Sequence, residues 1–123
     1  MNRHSLRELA MTCLYQYFLL KKDIREIVYE NGGNQIDPFL YTITIDAVAN
    51  EKFYIQKIND TLSTDWTFDR LGSIEKAILF MAASELDFET AQKAIVIDEA
   101  IVLAKKYCDD DAYKLINGVL DQL

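Results

Sequence analysis

Three observations predict an all-α fold for this chain of 123 residues. Its composition suits helices joined by short loops, with one proline, four glycines and many Leu, Ile, Ala, Glu, Asp and Lys residues. Apolar residues recur at three- and four-residue spacing along most of its length. The one segment that reads as a strand, YTITIDAV, has no second strand with which to pair. Half of the residues are hydrophobic, enough for one domain to fold around its own core without metal or disulfides.

Each element follows from local signals. Ser5 and Glu8 stand at capping-box spacing, so a first helix is expected from about residue 5. Its core stripe is Leu6, Leu9, Ala10, Cys13, Leu14, Tyr17 and Leu20. A short second helix, about 23–30, stops at Asn31-Gly32-Gly33. Asp37-Pro38 supplies a cap and a first-turn proline for a third helix reaching about Leu62, with Phe39, Ile43, Val48, Phe53, Ile55 and Ile58 inward. Trp66, Phe68 and Leu71 mark a short buried turn. Gly72-Ser73 then opens SIEKAILFMAASELDF, apolar nearly all round and therefore a central rod. Glu85 lies on its Ile78 and Met81 face, and a carboxylate buried there needs a partner, for which Arg70 is the candidate. A further helix spans about Lys93 to Tyr107, with Val96, Ala100, Leu103 and Tyr107 inward. Asp109-Asp110-Asp111 caps the last helix, where negative charge meets the positive end of the dipole. Leu115, Ile116, Val119 and Leu123 face its core, leaving Asp111, Lys114, Gly118 and Asp121 outside. Gly118 calls for a closely approaching backbone, either a neighbouring helix or a bound RNA strand, since mid-helix glycine costs about 1 kcal/mol relative to alanine.

Composition also excludes functions. A net charge of −7 argues against binding duplex DNA by blanket phosphate neutralisation, so any nucleic-acid contact must be local or shared with a basic partner. Cys13 and Cys108 lie far apart with no metal-ligand or CxxC spacing and read as reduced, buried thiols, with no metal or cofactor implied. Glu8 and Gln16 interrupt the apolar part of the first helix, which lacks a secretion signal's cleavage site. No run reaches the roughly 18 apolar residues of a membrane span, and a soluble, cytoplasmic protein is expected. There is no phosphate-binding glycine loop and no nucleophile elbow, and the single histidine lies at the N-terminus, so the chain is not expected to be an enzyme.

The opening, MNRHSLRELAMTCLY, gathers positive groups in an acidic chain. At 100° per residue, Arg7, Met11 and Tyr15 form a row beside the core stripe, while Arg3 and His4 project from the lead-in. Guanidinium groups and a phenol on one exposed edge suit single-stranded nucleic acid, because cations hold phosphates and unpaired bases stack on rings. The outer face of the last helix is a second candidate surface.

The runs FDRLGSIEKAILFMAASELDF, AIVIDEAIVLAKKYCDDDAYKLINGVLDQL and RELAMTCLYQY resemble the NusB family of transcription antitermination factors. The resemblance extends from end to end, with Lys114, Asn117 and Gly118 in the order of the family's closing motif. It implies a bundle of about seven helices in two packed subdomains, about 1–62 and 63–123. It also implies a non-catalytic role in ribosomal RNA transcription: binding boxA-type single-stranded RNA together with ribosomal protein NusE, which joins the elongating polymerase. By position, RNA contacts fall on Arg3, His4, Arg7, Tyr15, Asp111 and Lys114, and partner contacts on Glu75 and Leu79. The alternative is a helical adaptor of the same fold with little RNA binding of its own.

Overall fold

A computed structural model describes residues 1–123. Helix α1 spans Arg3–Leu20 and α2 spans Ile24–Gly32, the latter closed by Gly33 at φ 85°, a conformation that favours glycine. The cap of α1 is Asn2, not Ser5: the Asn2 side chain accepts from the Ser5 amide, one turn ahead of the expected start. Glu8 is thereby released from any capping box and bonds elsewhere.

The expected third helix is divided. Pro38–Tyr41 (α3) runs into a π-helical turn, Thr42–Asp46, then into Ala47–Ala49 (α4), and after a break at Asn50 into Glu51–Thr61 (α5). The strand-like TITID sequence is the cause. The hydroxyls of Thr42 and Thr44 back-bond to Pro38 and Leu40 carbonyls at 2.9 and 2.6 Å, and Ala47 N–H reaches the Thr42 carbonyl, five residues back. The wide turn and the break rephase the apolar face. Tyr54 is therefore fully buried, its hydroxyl donating to Asp87 at 2.8 Å, whereas Phe53 is exposed.

After a 3₁₀ turn, Phe68–Arg70, come α6 (Ser73–Phe88), α7 (Lys93–Tyr107) and α8 (Ala112–Asp121). Phe68 and Leu71 are buried as expected, but Trp66 is exposed with Arg70 over its ring. The central rod is α6, on which α1, α5, α7 and α8 all pack. Residues Ala77 through Glu85 are buried without interruption. Thirty-two buried apolar residues form one cluster running through both halves of the chain. No helix is long and apolar enough to cross a membrane.

Gly118 meets no close backbone: a Cβ built there touches nothing within 4 Å, so no neighbouring helix explains the glycine. Gly118→Ala is expected to stabilise the free chain by about 1 kcal/mol, the helix-propensity difference. Thermal denaturation checks this, with an expected rise of about 4 °C.

Candidate nucleic-acid interface

Helix α1 lies antiparallel to α6, pairing Arg7 with Glu85 and Arg3 with Thr90. Side chains bridge α1 to α7 in the same sense along both helices: His4 Nδ1 lies 3.0 Å from Glu99 Oε2, and Glu8 Oε2 accepts from Lys106 Nζ at 2.8 Å and from Tyr107 OH at 2.5 Å. Helix α8 turns back along α7, with Lys105 Nζ 4.8 Å from the centre of the Tyr113 ring and Lys93 Nζ donating to the carbonyls of Asp121 and Leu123. The last turn of α7 thus stands between α1 and the start of α8.

Arg7 is not on the exposed edge. It is 3 % exposed, with Nε and Nη2 donating to the two Glu85 oxygens at 2.9 and 2.8 Å. This bidentate pair raises the guanidinium pKa further and satisfies the buried Glu85, together with the Thr90 hydroxyl at 2.7 Å. The expected partner, Arg70, instead donates to the Asp65 carbonyl. Once α1 starts at Arg3, its inward stripe widens to include Arg7 and Met11, both buried, while Leu20 is left exposed. Arg7 therefore commits Nε and Nη2 to Glu85 and offers almost no surface to a phosphate, and its assignment as an exposed RNA contact is corrected.

Arg3 is exposed but held: Nη1 donates to the Thr90 carbonyl at 2.8 Å, and its guanidinium lies 4.2 Å from the centre of the Phe39 ring. Tyr15, twelve residues on and so about 18 Å along the helix, lines a concavity of about 350 Å³ with Gly72, Ser73, Ile74, Glu75, Tyr107, Cys108 and Asp109. Tyr15 and Glu75 thus share one depression, and Glu75 is half-buried at its rim. Leu79, one turn further into α6, is fully buried and cannot face a partner; that assignment is corrected too. Asp111 and Lys114 are both exposed, 3.4 Å apart, so the Asp111 carboxylate pairs with Lys114 instead of capping α8.

Three side chains at this edge were missed by sequence reasoning. Tyr107, expected inside, is exposed, and Lys105 and Lys106, both exposed, precede it. The dyad of lysines before a tyrosine in a last helical turn was the available signal. The Lys106 and Tyr107 hydrogen bonds lower the Glu8 pKa, so this pair's stabilisation is present at neutral pH and lost as the pH falls through Glu8's folded value. Burial pushes the Cys108 thiol up to about 11, with Glu75 and Asp109 adding to the shift, and burial alone raises Cys13 to about 11. Both therefore stay protonated at neutral pH.

These elements define an all-helical bundle wrapped on one central rod, with an edge of cations and phenols where α1, α7 and α8 converge. The NusB family pattern matches residues 4–123, and the chain belongs to the NusB family. A transcription antitermination protein NusB from an Exiguobacterium species is 35 % identical over 100 % of this chain and 97 % of its own length. The structure of T. maritima NusB superposes with a TM-score of 0.85 at 26 % identity, covering 99 % of this chain and 89 % of that one. A chain from a structure of antitermination factors NusB and NusE in complex with dsRNA gives a TM-score of 0.80 at 28 % identity, covering 97 % and 92 %.

Proposed function

We propose that this chain is a non-catalytic, cytoplasmic antitermination factor that binds boxA-type single-stranded RNA jointly with ribosomal protein NusE and so joins a transcription elongation complex. The observation that carries this reading is the likeness, over 97 % of the chain, to a chain from a structure of NusB and NusE in complex with dsRNA. The exposed members of the assigned site support it. Arg3 has donors left beyond the one that reaches Thr90, Lys114 presents an exposed ammonium, and Tyr15 lines an open depression. A basic ribosomal partner suits a chain of net charge −7, and Glu75, beside Asp109 in the same concavity, gives that partner an anionic foothold.

Binding to a short boxA-like RNA, with and without NusE and across a salt series, tests the reading. Arg3→Ala and Lys114→Ala each remove a charged contact worth about 1.5 kcal/mol, which corresponds to about tenfold in affinity. Each is expected to flatten the salt slope by about 0.7, the increment for one phosphate of a single strand. Glu75→Lys is expected to lose NusE while leaving the RNA binding of the free chain intact. Retention of NusE binding with no RNA binding in any salt would establish the adaptor reading instead.

A further inference from the structure

Burial of Arg7 leaves a gap in the interface. Between Arg3 and Tyr15, α1 offers no exposed permanent cation over about 18 Å. Helix α7 fills that gap. Adjacent helical residues point about 100° apart, so Lys106 turns toward Glu8 on α1 while Lys105 turns toward Tyr113 on α8. The two lysines thereby connect the N-terminal half of the site to the half on α8. Both are exposed, and Lys105 has no ion-pair partner.

We propose that the trough between α1 and α7, floored by α6, continues over the last turn of α7 toward α8 as a track for single-stranded RNA, in which Lys106 on the α1 side and Lys105 on the α8 side hold phosphates and Glu8 competes for Lys106 until the strand arrives. The proposal rests on the RNA-binding reading above and adds residues to it. Helices α1 and α7 both pack on α6 and meet through side-chain rungs, His4 with Glu99 and Glu8 with Lys106 and Tyr107. An ammonium has three donors and Glu8 takes one, so two remain for a phosphate. Tyr107 is anchored through its hydroxyl, which holds its exposed ring in place for a base to stack on it. The exposed Asp109 and Asp110 lie beyond this turn and repel phosphate, whereas the Asp111 charge is paired with Lys114. They confine the strand to the lysine side.

The Glu8 and Lys106 pair makes a test whose outcomes differ in sign. Lys106→Ala and Glu8→Gln break the same ion pair, so a purely structural rung would make both variants behave alike. On the proposed track, Lys106→Ala weakens binding of a short boxA-like RNA severalfold and flattens the salt slope by about 0.7. Lys105→Ala does the same, and Glu8→Gln tightens binding, because it releases the ammonium and removes a negative charge from the path. Thermal unfolding of each variant confirms that it is folded at the assay temperature. Weakening by Glu8→Gln, or no change with either lysine variant while Arg3→Ala and Lys114→Ala reduce affinity, overturns the track and leaves the RNA-binding reading standing. Loss of NusE binding in place of RNA binding by the lysine variants reassigns the trough to the protein partner and overturns it as well. Absence of RNA binding by the unmodified chain, with or without NusE, sinks both readings.

Discussion

Arg7→Ala is expected to lower the unfolding free energy by about 3–5 kcal/mol, because it strands an ionised carboxylate inside the protein. Glu85 is 1 % exposed, and after the substitution only the Thr90 hydroxyl would remain bonded to it. Domains of this size are stable by about 5–15 kcal/mol, so the variant should approach the limit of folding. Urea denaturation measures the loss directly. The contact also joins elements far apart in sequence. The Arg7 guanidinium lies 5.3 Å from the centre of the Phe39 ring, and the carbonyl of Thr90, whose hydroxyl bonds Glu85, accepts from Arg3. The start of α1, the start of α3 and the end of α6 should therefore loosen together. Replacing the pair by apolar residues, Arg7→Met with Glu85→Leu, is expected to recover much of the lost stability, since no charge is left buried. A surface phosphate contact would behave in the opposite way: Arg7→Ala would then flatten the salt dependence of RNA binding and leave urea unfolding almost untouched.

The fate of Arg7 shows what the sequence could and could not convey. Helical periodicity placed most of the buried positions of α1, α6, α7 and α8, because one face of each helix must be apolar to pack. Buried Glu85 was legible as a carboxylate in need of a partner, since it lies on the Ile78 and Met81 face of a helix that is apolar nearly all round. Its partner was not, because a contact between positions 7 and 85 is fixed by how two helices are laid side by side and leaves no local trace. The same holds for Lys106 and Tyr107, whose shared acceptor, Glu8, is nearly the whole chain away. The division of the third helix had a local cause, two threonine hydroxyls bonding backward to carbonyls. Periodicity could register those β-branched residues only as a hint of strand. Of the candidate site, the sequence pointed to Tyr15 on α1 and to Asp111 and Lys114 at the start of α8, and the last turn of α7 that stands between those helices left no such signal in its periodicity.

Leu79→Ala is expected to cost about 2–5 kcal/mol, the range for truncating a fully buried leucine. Leu79 has no exposed surface and belongs to the continuous apolar core. Glu75, one turn earlier on the same face of α6, is half-buried at the rim of the concavity shared with Tyr15 and Tyr107. Over that single turn the rod passes from the surface to the interior, because α1, α5, α7 and α8 close over it. A residue facing NusE would lose partner affinity on truncation and keep its stability. Leu79 should do the reverse: urea denaturation shows the loss, while NusE affinity, measured well below the lowered unfolding midpoint, stays within about twofold. Leu79→Met nearly preserves volume and is expected to cost less than about 1.5 kcal/mol. A cost of that size from methionine and a much larger one from alanine would locate the effect in core packing. Loss of NusE binding by a still-stable Leu79→Ala chain would mean that α6 turns this side chain outward when the partner docks.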